Sequence, residues 1–191
     1  MLSATEILDE LEGDRSITLQ FFGKNVQSLR TDAREDELLA ELEHVEWDIV
    51  LISETWRSAC EERWLAKDRH MFCGSASDMM RTGVAILIHR RWASKVKAFH
   101  AISDRICAID VNIVGQRLRF IATYFPHGGY DDEDVECTYG QLDAAVAGAQ
   151  RAGRTCVILG DWNAVVGPWQ NEDDEEIVGH HGMGSRNERG A

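Results

Sequence analysis

Residues 155–163 read Thr155-Cys156-Val157-Ile158-Leu159-Gly160-Asp161-Trp162-Asn163, an apolar strand that runs directly into a carboxylate and a carboxamide. Strand side chains repeat every second residue. The spacing therefore predicts Asp161 and Asn163 side by side at one rim, where sites in open α/β sheets collect.

The same pattern recurs upstream. Asp48-Ile49-Val50-Leu51-Ile52 ends in Ser53-Glu54-Thr55-Trp56, and the strand-like Ile17-Thr18-Leu19-Gln20-Phe21-Phe22 ends near Asn25. Three strands thus each deliver a metal- or phosphate-competent group at a carboxyl end, and one cleft could collect Asn25, Glu54 and the Asp161/Asn163 pair.

Between these strands the chain alternates helix and strand periods. Residues 32–46 place Leu38, Leu39, Leu42 and Val45 on one helical stripe, so residues 17–53 read as strand, helix, strand. Residues 83–88, 106–111 and 118–124 are strand candidates with short connections, and Val114-Gly115-Gln116 marks a hairpin, which implies some antiparallel pairing. Residues 133–153 form a helix with Val135, Leu142, Ala145, Val146 and Ala149 roughly on one side. Residues 167–191 are rich in acids and glycine and read as loop. Residues 1–13 form an extension, a short helix over residues 3–11 or a frayed terminus, and residues 14–191 form one domain.

At 191 residues the chain can bury a real core, and 44% hydrophobic with 28% charged residues excludes disorder as the default state. No apolar run is long enough to span a bilayer, so no membrane role is expected. The odd count of 5 cysteines, without CxxC spacing, indicates neither a disulfide framework nor a zinc site and favours a reducing intracellular compartment. A net charge of −13 argues against broad electrostatic capture of nucleic acid. The acids are partly concentrated in Asp131-Asp132-Glu133-Asp134 and Glu172-Asp173-Asp174-Glu175-Glu176, read as solvated loops or helix starts, so a binding face could still be locally basic through Arg81, Arg186 and Arg189. The residues carry no signal of oligomeric state.

Together, Asn25-Val26-Gln27-Ser28-Leu29, Ile52-Ser53-Glu54-Thr55-Trp56, Tyr124-Phe125-Pro126 and Gly160-Asp161-Trp162-Asn163 resemble the endonuclease/exonuclease/phosphatase superfamily. Within it the wording is similar to the endonuclease domains of non-LTR retrotransposons and to craniofacial development protein 2-like sequences, which share a segment like Gly182 to Gly190. The resemblance implies a mixed-sheet four-layer α/β/β/α sandwich of the DNase I-like type, C-terminally incomplete, with exposed strand edges and uncovered apolar surface. It also implies a DNA endonuclease-type phosphodiesterase, with RNA or a small phosphoester as other substrates. The nucleus is the expected location for a DNA-directed enzyme and the cytoplasm otherwise.

Phosphodiester hydrolysis needs a Lewis acid, an activated water and a proton source for the leaving oxygen. Glu54 is the candidate cation ligand with Asn25 beside it, and a hard oxygen set suits Mg2+, with Mn2+ possible, over zinc. The alternative for Glu54 is an acidic N-cap for residues 57–67. By resemblance, Asp161 orients or deprotonates the attacking water or protonates the leaving group, while Asn163 and Asn25 hydrogen-bond phosphate or metal-bound water. An Asx turn ending the strand is the alternative for the Asp161/Asn163 pair. Tyr124 is the candidate transition-state donor, or a core tyrosine bonded locally. Asn187 and Arg186 are candidate phosphate contacts from a loop, with simple solubilising charge the alternative for the arginine. His180 and His181 read as surface residues, and Trp162 as packing opposite its polar neighbours. Family members close their site with a later aspartate and a Ser-Asp-His segment. No Ser-Asp-His occurs in this chain, so the resemblance implies weak or absent activity, or a non-catalytic remnant.

Overall fold

The computed structural model describes residues 17–65, 70–77, 81–168 and 183–190. The expected extension at residues 1–13, His180, His181, Trp169 and the acidic run 172–176 lie outside these residues.

One sheet runs β1 (Phe21–Asn25), β2 (Ile49–Ser53), β5 (Val84–Ile88), β4 (Met71–Gly74) and β3 (Glu61–Trp64), in that order. The other runs β6 (Val96–Ala101), β7 (Ile106–Ile113), β8 (Gln116–Tyr124) and β9 (Thr155–Asp161). Each sheet is mixed. In the first, β1 and β2 are parallel and joined through helix α1 (Asp32–Leu42), while the remaining neighbours are antiparallel. In the second, β8 and β9 are parallel and joined through helix α3 (Asp132–Arg151), with β6, β7 and β8 antiparallel. A four-residue helix α2 (Arg90–Ala93) leads into β6.

The sequence explains the layers. Residues of alternate parity on β2, β5, β7 and β8, among them Leu51, Ile86, Ile109 and Phe120, meet between the sheets. The opposite faces bury Val50, Ile52 and Leu87 beneath Leu38 and Leu42 of α1, and Ile106, Ala108 and Ile121 beneath Leu142 and Ala145 of α3. The order is therefore helix, sheet, sheet, helix. Strands covered on both faces need continuous apolar runs, and Ile49-Val50-Leu51-Ile52 has one, each residue at most 1% exposed.

Local chemistry sets the ends. Thr31 accepts a hydrogen bond from Arg34 N at the start of α1, with Asp32 and Glu35 in its first turn, and Asp132, Glu133 and Asp134 occupy the first turn of α3, where acids complement the helix dipole. The β7–β8 hairpin turns on Val114 and Gly115 with φ of 50° and 73°, the left-handed pair that a tight two-residue hairpin requires.

Several boundaries depart from the periodicity. The first strand is Phe21–Asn25 rather than 17–22, because β1 takes its register from β2, Phe21 opposite Ile49 and Asn25 opposite Ser53. Gln20 N is diverted to the Asp48 carboxylate. Helix α1 stops at Leu42 instead of 46, its last turn lacks any basic residue, and Val45 is 50% exposed instead of joining the stripe. Residues 61–64 are strand, so Glu54 caps no helix over 57–67.

A buried ionic cluster fastens α3 to its sheet. Asp110 accepts from Arg119 Nε at 2.6 Å and lies 3.1 Å from Arg154 Nε, and Arg119 Nη1 donates to Ala145 O on α3 at 3.0 Å. Burial alone would raise the Asp110 carboxyl, but hydrogen bonds from Arg119 and His100 and the Arg119 and Arg154 charges together hold it below the usual carboxylate range.

Candidate active site

The carboxyl ends of β1, β2, β8 and β9 meet at one rim because each strand pair bordering the cleft is parallel and the two edges β1 and β9 approach each other. A Cβ on Gly23 would meet Gly160 N at an ordinary contact distance of 3.6 Å, whereas one on Gly160 would lie 1.9 Å from Thr123 O of the neighbouring β8. Only glycine fits at residue 160, one position before Asp161.

The rim side chains converge as a bonded set. Asn25 Nδ2 donates to Glu54 Oε1 at 2.7 Å and to Asp161 Oδ2 at 3.1 Å, across sequence separations of 29 and 136 residues. Tyr124, at the end of β8, is 6% exposed and neighbours Glu54. Burial first, then interaction with the Glu54 carboxylate, pushes the Tyr124 hydroxyl up to about 12, with Asp161 adding to the effect and Arg105 opposing it. The phenol is therefore a protonated donor throughout the neutral range.

Asn163 departs from the expected arrangement. The extended strand ends at Asp161 and Asn163 adopts φ of 50°, so period-two alternation no longer aims its side chain. Asp161 Oδ1 accepts from Asn163 N at 3.0 Å as in an Asx turn, and Asn163 Nδ2 donates to Phe125 O at 2.7 Å. Asp161 thus serves both readings at once: one oxygen closes the turn and the other faces Asn25. Trp162 stacks on Phe125 with ring centroids 4.7 Å apart.

Asn187 and Arg186 lie on the far side of the same loop. Asn187 Oδ1 accepts from Val165 N at 3.0 Å and from Gly190 N at 2.9 Å, its Nδ2 reaches Asn163 O at 3.5 Å, and Arg186 Nε donates to Val166 O at 2.8 Å. Both residues clasp the segment that follows β9. Arg189 donates to Tyr130 O at 3.2 Å.

Two further observations mark the rim as special. Non-glycine residues with positive φ gather there: Gln27, Ser28, Glu54, Trp56 and Asn163. Such strain persists only where surrounding structure enforces it, and clusters at functional sites. Buried polar atoms without a partner among the described residues are Thr55 Oγ1, Trp56 Nε1 and Thr123 Oγ1, all within two residues of Glu54 or Tyr124. Buried polar groups are otherwise almost always bonded.

Arg105 has no counterpart in the sequence reading. It is 8% exposed, donates to Tyr124 O at 3.4 Å, and lies over the rings of Tyr124 and Tyr130 at 5.5 Å and 4.6 Å. Its one sequence signal was a lone arginine at the mouth of a strand, which charge counting treats as surface.

Among the described residues no three His, Cys, Asp or Glu side chains converge as a metal-binding group. The donors present are the Glu54 and Asp161 carboxylates, drawn onto one amide, and the Asn25 carboxamide. Two negative hard-oxygen groups in one cleft suit a hard divalent cation whose shell is completed by water and substrate. Asn25 turns its nitrogen toward the carboxylates while its Oδ1 accepts from Gln27 N at 3.1 Å. Ligation through that oxygen requires the amide to turn over.

The model of the Endonuclease/Exonuclease/phosphatase family matches residues 22–190. Comparison with curated proteins yields no match. Among solved structures, the endonuclease domain of TRAS1, a telomere-specific non-LTR retrotransposon, is similar at TM-score 0.54 and 16% identity over 77% of this chain and 60% of its own. An AP endonuclease from Leishmania major gives 0.57 and 13% over 90% and 70%. The 3' phosphatase NExo from Neisseria, bound to a product DNA hairpin, gives 0.51 and 18% over 83% and 64%. The chain thus spans 60% of the retrotransposon domain's length. At these identities the likeness establishes the two-sheet sandwich.

Proposed function

The chain belongs to the Endonuclease/Exonuclease/phosphatase family, and from that premise we propose that it is a Mg2+-dependent phosphodiesterase acting on DNA, of the retroelement endonuclease type. The observation that carries this reading is Asn25 bonded at once to Glu54 and Asp161, which draws the ends of β1, β2 and β9 into one acidic cleft beside the Tyr124 hydroxyl. The similarity to the TRAS1 endonuclease domain and to a phosphatase bound to DNA supports nucleic acid as the substrate. RNA and small phosphoesters belong to the same chemistry, since one constellation serves many substrates.

A divalent cation, Mg2+ or Mn2+, held by Glu54 with Asn25 adjacent, would supply Lewis-acid neutralisation of phosphoryl charge. Asp161 presents Oδ2 to the cleft and there orients or deprotonates the attacking water, or protonates the leaving oxygen. Its other oxygen, fixed by Asn163 N, sets the carboxylate's orientation. Asn163 cannot titrate and acts by position, tying Asp161 to the Phe125 carbonyl. Tyr124 donates a hydrogen bond to charge developing on the phosphoryl group, which its high pKa permits at every physiological pH. Arg105 holds Tyr124 from behind. Asn187 and Arg186, which clasp residues 163–166, would contact substrate phosphate from this loop.

Residues 1–191 carry no Ser-Asp-His to add an imidazole to this set, and activity of these residues alone is proposed to be weak. A single transition-state donor contributes roughly 10²–10³ in rate. Among the described residues no helix is long and apolar enough to cross a membrane, and an intracellular, nuclear location accords with a DNA substrate.

Calorimetric titration of Mg2+ into the protein and into Glu54→Gln, paired with plasmid nicking, tests the assignment. Binding by the wild-type chain and its loss in the variant are expected. Equal binding isotherms for the two proteins would remove Glu54 as the cation ligand.

A further inference from the structure

At the end of the first sheet remote from the rim, where α1 gives way to β2 and β5 leaves the sheet, a cavity of about 450 Å³ opens. Trp47 lines it just before β2, and Glu54 follows the other end of that strand. Roughly 20 Å of extended chain therefore separates the cavity from the catalytic cleft.

The strand ends supply three rings. Trp47 lies against His70 with centroids 4.8 Å apart and against His89 at 5.1 Å, and the two imidazoles lie 4.7 Å from each other. Backbone bonds fix both imidazoles: His70 Nδ1 accepts from Arg90 N at 3.1 Å and His89 Nδ1 from Arg91 N at 3.3 Å. Burial first, then the Arg91 and Arg90 charges, hold His89 below the ordinary imidazole value, with Asp48 opposing. A neutral imidazole whose Nδ1 accepts keeps its proton on Nε2.

These ends present donors without acceptors. Trp47 is 8% exposed, yet its indole N–H has no partner among the described residues. His89 Nε2 and the exposed Arg90 guanidinium likewise bond nothing among the described residues. Arg91 differs, since its guanidinium is committed to the buried Asp48. Donors as buried as the Trp47 indole are otherwise almost always satisfied. The α1 side supplies the complement: Leu39, Leu42 and the half-exposed Val45 are apolar lining, and the exposed Glu43 and Glu46 form no ion pair among the described residues.

We propose that this cavity binds a nucleoside monophosphate whose base carries an amino group. The phosphate takes the Arg90 guanidinium, His89 Nε2 and Trp47 Nε1, one fixed positive charge with two further donors. The base packs on Leu39, Leu42 and Val45 and donates its amino group to Glu43 or Glu46. Those two carboxylates discriminate among anions: a fatty acid or an aryl carboxylate fills the apolar side but brings them only acceptors. A free amino acid answers both charges and leaves most of the cavity empty, whereas a nucleotide suits a volume within the roughly 300–1,000 Å³ of small-molecule sites. The site stands apart from the phosphodiesterase reading, because it uses no residue of the cleft.

Calorimetric titration of the whole chain with GMP, AMP, UMP and free tryptophan tests the site, with chelator present so that the cleft holds no cation. GMP and AMP should each saturate one site. UMP, whose single ring N–H is flanked by carbonyl oxygens, should bind about tenfold more weakly or worse. Arg90→Gln should raise the dissociation constant for GMP about tenfold or more without moving the thermal midpoint, since that guanidinium bonds nothing in the described fold. Trp47→Phe, which keeps a ring and loses the N–H, should weaken GMP about threefold or more. Glu54→Gln should bind GMP as the wild type does, and loss there would put the nucleotide in the cleft and overturn the site. No saturable uptake of GMP or AMP, or equal affinity in Arg90→Gln, would overturn it as well. Tryptophan binding without nucleotide binding would give the cavity to an amino acid, and UMP matching GMP would refute the carboxylate contact to the base.

Discussion

β1–α1–β2 and β8–α3–β9 are both parallel strand pairs joined by a helix on the outer face, and both end at the same rim, yet β2 lies inside its sheet and β9 at an edge. Every residue of β2 is buried, whereas β9 is exposed or half-buried along its whole length. Glu54 therefore follows a strand braced on both sides, and Asp161 ends a strand braced by β8 alone. The acid on the edge owes its position to bonds made after the strand ends: Asn25 Nδ2, Asn163 N and the Asn187 clasp on Val165. Openings with low free energy are drawn from such weakly covered elements, so the two halves of one site should differ in stability.

The largest expected effect strikes what fastens the edge unit. Asp110→Asn leaves Arg119 and Arg154 buried without their carboxylate and should lower stability by about 3–5 kcal/mol in urea denaturation. Because the folded Asp110 pKa is depressed, its contribution is complete above the ordinary carboxylate value of about 3.9 and is lost as pH falls through the lower folded value. A wild-type stability profile flat from neutrality to pH 3 would deny the cluster this role.

Core truncations compare the two strands directly. Leu51→Ala, on β2, should cost about 2–5 kcal/mol, and Leu159→Ala, on β9, no more than about half of that, since its surroundings are partly wet. Equal losses would erase the distinction between centre and edge. Gly160→Ala should cost about 1–3 kcal/mol by forcing β9 away from Thr123. It should also weaken Mg2+ binding measured by calorimetry, and unaltered binding would show that Asp161 does not depend on this approach.

The smallest effect is spectroscopic. Alkaline absorbance titration should show one of the 3 tyrosines ionising near pH 12, absent in Tyr124→Phe. A raised folded pKa means that stability from this group is complete below about pH 10 and is lost as pH rises through about 12. Ionisation of every tyrosine near 10 would place the Tyr124 hydroxyl in water.

The strand ends that carry Asn25, Glu54, Tyr124 and Asp161 were legible because apolar runs with polar tips are local facts. Three strands were not. β3 reads Glu61-Glu62-Arg63-Trp64, and it is extended because Glu61 pairs with Arg57 and Arg63, while Arg63 also pairs with Glu35 and lies over Phe72. β4 is a four-residue segment whose pairing to β3 and β5 defines it. β6 carries a register shift between Val96 and Ala98 that blurs its alternation. The direction of Asn163 was misjudged for a related reason, since a single left-handed residue after the strand cancels the two-residue repeat.

By itself the sequence determined a mixed-sheet α/β domain with helices on its outer faces and which strand ends carry Asn25, Glu54, Tyr124 and Asp161, because burial period and chain polarity are written in consecutive residues; the four-layer order was implied by the family resemblance. Only the tertiary structure decided that one carboxamide joins two acids 107 positions apart, Glu54 and Asp161, that Arg105 underlies Tyr124, and that Trp47, His70 and His89 meet ring to ring. Those contacts depend on which loops lie side by side once the sheets pack, and no local period encodes that neighbourhood.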